Sequence, residues 1–285
     1  MRVFKGHGTE NDFVVLPDLD GRLTLTPEFV QALCDRHGGI GADGVLRVVR
    51  SENDPEAKEM ALQAPFFMDY RNADGSVAEM CGNGIRVVMR YLQGSGLVDL
   101  DAAVATRGGI KRVQAVGGDG DVTVDMGRPL VLADRPVVTA AHDAPHQAAA
   151  TVLMPNPHVV VWIDAGPQAL GSLDLGLAPD VQPARPDGQN VEFVVRLGSR
   201  HLSMRVFERG VGETRSCGTG ICAVAVAAAS ADGVGADGVP WRVDVPGGTC
   251  TVTWRPDDSV LLSGPAVLVA EIELMQAWLS PFALA

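Results

Sequence analysis

Two short stretches of the chain are near-copies of one another: Met80-Cys81-Gly82-Asn83-Gly84-Ile85 and Ser216-Cys217-Gly218-Thr219-Gly220-Ile221. Each sets a cysteine ahead of a Gly-x-Gly turn and an apolar run, the pattern by which a loop enters a helix with a thiol at its N-terminus. The two cysteines lie 136 residues apart, and the flanks keep step. Tyr70-Arg71-Asn72 falls opposite Val206-Phe207-Glu208, Gly108-Gly109 opposite Gly247-Gly248 at an offset of 139, and Gly127 opposite Gly264 at 137. An offset held this closely argues for two homologous halves. Two repeats are too few for a solenoid, so the expectation is two similar domains related by a pseudo-twofold axis, with a ligand cleft between them.

The position of the thiols carries chemistry. A helix N-terminus presents free backbone N–H groups and roughly half a positive charge, so it attracts anions. It can also lower a thiol pKa from about 8.5 into a range of roughly 3.5 to 7.5. Two matched thiols of this kind predict joint action on one substrate.

The 285 residues suit about two domains of roughly 150 each, and 46% apolar with 20% charged residues is ordinary globular composition. A net charge of −12 disfavours a nucleic-acid partner, while a small zwitterion remains open. Met1 to His7 lacks the apolar core of a signal peptide, and the apolar run from Ile221 to Ala229 falls well short of the roughly 18 residues of a membrane span. We therefore expect a cytoplasmic protein with no membrane partner. Five cysteines with no Cys-x-x-Cys pair fit neither a disulfide framework nor a metal site, and predict free thiols. The oligomeric state is left open, a homodimer included.

In chain order, Arg2 to Phe4 and Phe13 to Leu16 read as strands flanking a polar loop from Gly6 to Asp12. Thr26 caps a helix with Pro27 in its first turn, Val30, Leu33, Cys34 and His37 on one face, and Gly38 as its stop. Cys34 and His37 are read as packing rather than as metal ligands. Gly39-Ile40-Gly41-Ala42-Asp43-Gly44 matches the dinucleotide fingerprint in letters but not in context, because it follows a helix and enters a strand; it is read as a turn. Strands are expected at Phe66 to Tyr70, Val104 to Thr106, Ile110 to Val116 and Val122 to Met126, the last two joined by Gly117-Gly118-Asp119-Gly120-Asp121. His142 to Ala150 reads as a linker with exposed histidines. In the second half, strands at Val152 to Met154 and Val159 to Ile163 bracket Pro155-Asn156-Pro157-His158, and Val191 to Arg196 and Leu202 to Phe207 alternate as strands. The helix from Gly220 to about Ser230 is apolar on every face and must be buried all round, most simply as the axis of a strongly curved sheet. Strands from Trp241, Cys250 and Val260 follow, and a β-type run from Ala266 to Leu274 is placed back with the first domain. The expected division is 1–118 with 266–285, and 119–265.

Asn11-Asp12-Phe13, Gly39 to Gly44, Asn72-Ala73-Asp74-Gly75-Ser76 with Met80 to Gly84, Asn156-Pro157-His158, Asn190-Val191-Glu192-Phe193, and Glu208-Arg209-Gly210 with Cys217 to Gly220 together resemble the diaminopimelate epimerases, in family order and over nearly the whole chain. The resemblance implies an α+β fold of two pseudo-symmetric domains, each a curved, barrel-like mixed or antiparallel sheet around a central helix, with the active site in the interdomain cleft. It implies a cofactor-free isomerase that interconverts LL- and meso-diaminopimelate in the bacterial lysine and peptidoglycan pathway. By the same resemblance Cys81 and Cys217 are the acid–base pair, and His158 and Glu208 tune them. Asn11, Asn72, Gly82, Asn83, Asn156, Asn190, Glu208, Arg209, Gly218 and Thr219 contact the substrate.

Such chemistry makes sense of the residue types. An α-hydrogen is a very weak acid, and without a cofactor the developing carbanion must be stabilised electrostatically, here by N–H groups of Gly82, Asn83, Gly218 and Thr219. Inversion needs a base on one face and an acid on the other. Neutral amides with one arginine suit a zwitterion.

Gly6 and Glu10 stand where the family commonly has methionine and glycine, and Val87 where a further cysteine is common. Two other readings are kept: a proline racemase-type enzyme of the same architecture, in which a histidine commonly follows the first Cys-Gly where this chain has Asn83, and a thiol redox protein using Cys81 and Cys217.

Overall fold

The repeat marked by the two cysteine stretches extends through the strand pairings. In the computed structural model, which describes every residue except 118, 119, 165 and 283–285, the chain divides into two units, Met1–Val124 with Pro265–Ala285, and Asp125–Gly264. The expected division between 118 and 119, and Gly118 and Asp119 of the loop predicted there, lie outside the described residues. Among those described, the helices are α1 (Pro27–Cys34), α2 (Gly82–Gly94), α3 (Pro167–Ser172), α4 (Gly218–Ala231) and α5 (Gln276–Leu279).

In the first unit Arg2–Gly8 pairs antiparallel with Asn11–Pro17, which runs parallel to Gly44–Arg50. That strand pairs antiparallel with Phe66–Asn72, whose other partners are the short Val77–Ala78 and, in parallel, Asp101–Thr106; a meander through Gly109–Ala115 and Val122–Gly127 follows. The second unit repeats each step. Ala150–Leu153 pairs antiparallel with Pro157–Trp162, which runs parallel to Asn190–Gly198 and on to antiparallel His201–Glu208. The last of these is flanked by Gly212–Thr214 and, in parallel, by Trp241–Val245, before Gly248–Trp254 and Val260–Gly264. α1 and α3 occupy equivalent parallel crossovers, as do α2 and α4. In the first unit the opening strand also pairs with Val267–Glu273, so the late run from Ala266 belongs with the first unit.

Each sheet curves around one helix. α2 packs against strands 2–8, 11–17, 44–50, 66–72, 109–115 and 267–273, and α4 against seven strands of its own unit. A helix enclosed in this way can expose no polar face. In α4 this is met by composition: Gly218 and everything from Gly220 to Ala229 is buried, and the residues are small. In α2 it is met by satisfaction instead. Arg86 is fully buried and Arg90 nearly so; Arg86 donates to the carbonyls of Gly82 (3.2 Å) and Pro265 (3.4 Å), and Arg90 to that of Ala266 (3.3 Å).

Four local expectations are corrected. Gly6 to Asp12 is not a loop but the end of a tight hairpin, with Gly8 opposite Asn11 and only Thr9 and Glu10 between the strands. Neither residue is one of the usual turn formers, which is why the sequence hides it. α1 ends at Cys34, so His37 is not on its face; the Asp35 carboxylate accepts from the backbone N–H groups of His37 and Gly38 and stops the helix. The stretch 142–150 is not a plain linker: His146–Gln147 pairs with Val137–Thr139 and Ala148 and Ala150 are buried, although His142 is exposed. Pro157–Trp162 begins early enough to take His158 into the sheet rather than leaving it in a loop.

Two departures from the family pattern touch. A Cβ on Gly6 would stand 2.8 Å from the Val267 carbonyl oxygen and 2.9 Å from Val87 Cγ1, so the missing side chain at one position makes room for the other. The third departure carries strain. Thr9 and Glu10 have φ of 49° and 60°, left-handed values that cost a residue with a Cβ about 1 to 2 kcal/mol each. Glu10→Gly is therefore expected to raise stability by about 1 kcal/mol after the larger entropy of the unfolded chain is counted, or about 2 to 4 °C in Tm. A thermal melt showing a lower Tm for the variant would refute the strain argument.

Candidate active site

Both repeat cysteines occupy the residue just before their helix. Cys81 (φ −136°, ψ 120°) precedes α2 and Cys217 (φ −121°, ψ 111°) precedes α4, in the same extended conformation. Each helix begins with Gly-x-Gly, leaving first-turn N–H groups beside the sulfur.

In the first unit the Gly84 N–H donates to Cys81 Sγ at 3.3 Å, and the thiol is placed to donate to Asn11 Oδ1 at 3.7 Å. Either protonation state of this sulfur thus has a partner. Asn11 is held on both sides: its Nδ2 donates to Asp43 Oδ2 at 2.8 Å, and its Oδ1 accepts from Asn83 Nδ2 at 3.2 Å. Asp43 and Asp12 are in turn bridged by Arg36, and Asp12 is also paired with Lys5. Burial pushes the Asp12 carboxyl up, but Arg36 and Lys5 more than offset this and hold it well below the usual range. Asp43 is pushed up, chiefly by burial and against the hydrogen bond from Asn11. This ionic support was missed in the sequence, where Asp43 counted as part of a turn; an Asp one residue ahead of a buried strand was the available signal. The hairpin turn places Asn11, and Gly8 lets it settle on α2, since a Cβ there would lie 3.1 Å from the Asn83 carbonyl oxygen. Asn72 closes its own turn, donating to Ser76 Oγ at 3.0 Å, at the end of the strand beside Gly44.

The second unit gathers more of the predicted residues. His158 is fully buried, with Nδ1 2.6 Å from Glu192 Oε1 and Nε2 3.0 Å from Asn156 Oδ1. Asn190 Nδ2 donates to the Pro157 carbonyl, and its Oδ1 accepts from the Arg209 N–H at 3.0 Å. The Arg209 guanidinium is exposed and donates to the Asp187 carbonyl. Its stem lies against Gly188, at φ 71°, where a Cβ would come within 3.0 Å of Arg209 Cδ. Glu208 accepts from Thr214 Oγ1, and Thr219 Oγ1 lies 3.4 Å from Cys217 Sγ.

Position at a helix end does not alone decide the protonation of this thiol. Helix N-terminal placement predicts a lowered pKa, but Cys217 is raised well above its ordinary value, first by burial and then by the charges of Glu208 and Glu192. The hydroxyl of Thr219 pulls the other way and does not win. Glu208 is itself raised, mainly by burial, with hydrogen bonds from Thr214 and from the Cys217 thiol opposing. Cys217 therefore holds its proton. Cys34, Cys222 and Cys250 are buried and join no disulfide among the described residues; burial pushes Cys34 up to about 12, consistent with packing.

The site geometry, two N-capping cysteines on enclosed helices within topologically repeated units, can be set beside known proteins. The chain is 56% identical to the diaminopimelate epimerase of Streptomyces coelicolor, over 96% of either chain, and 50% identical to that of Thermobifida fusca, over 95% of this chain and 97% of the relative. Among solved structures, a predicted epimerase from Pseudomonas aeruginosa shares the fold with a TM-score of 0.70 at 15% identity, covering 96% of this chain and 99% of that one. The family description Diaminopimelate epimerase matches residues 3–132 and 150–269, and the chain belongs to the diaminopimelate epimerase family.

Proposed function

We propose that this chain interconverts LL- and meso-diaminopimelate without a cofactor, one thiolate removing the α-hydrogen while the other thiol delivers a proton to the opposite face. The observation that carries the reading is the matched pair Cys81 and Cys217, each N-capping a buried helix whose first-turn N–H groups can meet an α-carboxylate. The half-sites differ in charge. At the start of α2 the Gly84 N–H donates to Cys81 Sγ, which suits an anionic sulfur there. Around Cys217 stand Glu208 and Glu192, which keep its proton in place. The resting enzyme on this reading has its base at Cys81 and its acid at Cys217, and the roles exchange in the reverse direction.

Asn11 and Asn83 then bind at the reacting end, with His158 and Glu208 tuning the two thiols. Asn72, Asn156, Asn190 and Arg209 hold the distal amino-acid end, a carboxylate meeting the exposed Arg209 guanidinium. The reaction serves lysine and peptidoglycan precursor synthesis and belongs in the cytoplasm; among the described residues no helix is long and apolar enough to cross a membrane.

The test is incubation of reduced protein with LL-diaminopimelate in D₂O, without added pyridoxal phosphate or metal, with L-proline in parallel. Deuterated meso product from diaminopimelate alone is the expected result. Exchange with proline alone would transfer the assignment to the proline racemases, and no exchange with either would overturn it.

A further inference from the structure

In the two-thiol chemistry Glu192 neither moves a proton nor binds substrate, yet it is a fully buried carboxylate. It stands on strand 190–198 in the run Val191-Glu192-Phe193-Val194-Val195, and its side chain is 0% exposed. Oε1 meets His158 Nδ1 at 2.6 Å, while Oε2 has no hydrogen-bond partner among the described atoms. A buried carboxylate satisfied on one oxygen is an expensive way to fill a core that an apolar side chain would fill better. The helix is shaped to admit it: a Cβ on Gly220, in the first turn of α4, would stand 2.7 Å from Oε1 and 3.4 Å from Cδ. The carboxylate thus sits against the positive end of the helix that Cys217 caps.

We infer that Glu192 is a positioning residue for the second half-site: it fixes the ring of His158 through Nδ1 and, as a buried negative charge against the first turn of α4, keeps the sulfur of Cys217 protonated. This deepens the epimerase reading and rests on it for its consequence in turnover. The groups acting on Cys217 are Glu208 from strand 201–208, Glu192 from strand 190–198, the hydroxyl of Thr219 and the backbone N–H of Gly220, while His158 from strand 157–162 acts on Glu208. Glu192 raises both Cys217 and Glu208, behind burial in each case. Where Glu192 Oε1 accepts from His158 Nδ1, the ring's other nitrogen is the one turned toward Asn156.

The test is Glu192→Gln, which keeps the volume and an oxygen for His158 while removing the charge. Alkylation of reduced protein by iodoacetamide, followed by mass spectrometry of the Cys217 peptide across pH, reads the thiolate directly. The expected result is a midpoint lower by about one pH unit, which is roughly tenfold faster alkylation below the midpoint. The pH profile of kcat/KM should move the same way with little change in KM. A folded variant with an unmoved Cys217 midpoint would overturn the inference, even if its Tm fell. Should the variant not fold, ¹⁵N NMR of histidine-labelled wild type decides: a proton on Nδ1 of His158 through neutral pH is expected, and a proton on Nε2 alone overturns it. Neither the alkylation nor the NMR readout uses diaminopimelate, so failure of the epimerase reading and failure of this one are separable.

Discussion

Replacing Cys81 by serine is expected to lower kcat/KM for diaminopimelate by about 10³-fold, within the 10²- to 10⁴-fold range of a positioned acid or base. This corresponds to about 4 kcal/mol of barrier. Serine is a good N-cap and can accept the Gly84 N–H as the sulfur does, so α2 should form as before and the loss should be chemical rather than structural. The hydroxyl is a much weaker acid than the thiol and supplies almost no anion at neutral pH. Cys217→Ser should fail equally, through loss of the acid. Each variant keeps one working thiol, so each should still exchange the α-hydrogen of one isomer with solvent while failing to invert it. Isomer-resolved deuterium uptake measures this, with circular dichroism to confirm folding. A Cys81→Ser enzyme above one-tenth of wild-type turnover would sink the two-base assignment.

The cysteines were legible because they carry two signals at once, a local helix-entry pattern and a repeat at a fixed offset; the strand pairings then follow the repeat step by step. What the sequence concealed was of another kind. The hairpin at Thr9 and Glu10 closes on residues that violate the usual turn chemistry, because tertiary contact of Gly8 with α2 overrides local preference. His158 follows Asn156-Pro157, a turn-like pair, yet joins a strand through its parallel register with Asn190. The lowered pKa expected of an N-capping thiol was a local argument, and for Cys217 it lost to burial and to two carboxylates brought from other strands. Glu192 could have been picked out as the single charge in the buried part of its strand, but only packing identifies Gly220 and His158 as its neighbours. Residues whose role depends on the helix they cap are readable in one dimension; residues whose role depends on what folds against them are not.

The same distinction sets the largest expected effect on stability. Arg47, mid-strand and opposite Asp69 in the pairing with 66–72, is 8% exposed and joins three buried carboxylates. Its Nε lies 2.8 Å from Asp18, and its Nη1 2.8 Å from Asp54 and 3.5 Å from Asp69. Asp69 has further cations in Arg71 and Arg107, whereas the guanidinium of Arg47 ties together Asp18 and Asp54 from two different loops. Arg47→Met keeps much of the apolar stem and removes the charge, leaving those carboxylates buried without it. Breaking a buried pair from one side costs about 3 to 5 kcal/mol, a large share of the roughly 5 to 15 kcal/mol that holds a domain together. The expected fall in Tm is about 6 to 20 °C. The pH dependence has a definite sign. Burial pushes Asp69 up, but Arg71 and Arg107 more than offset it and hold the carboxyl below its ordinary value. Its contribution is therefore complete above the unfolded pKa of about 3.9 and is lost as pH falls through the lower folded value. Wild type should accordingly lose stability on acidification below about pH 4. Melts from pH 7 down to 3 test both statements; a Tm difference at pH 7 under about 2 °C would show that the network is replaceable by packing alone.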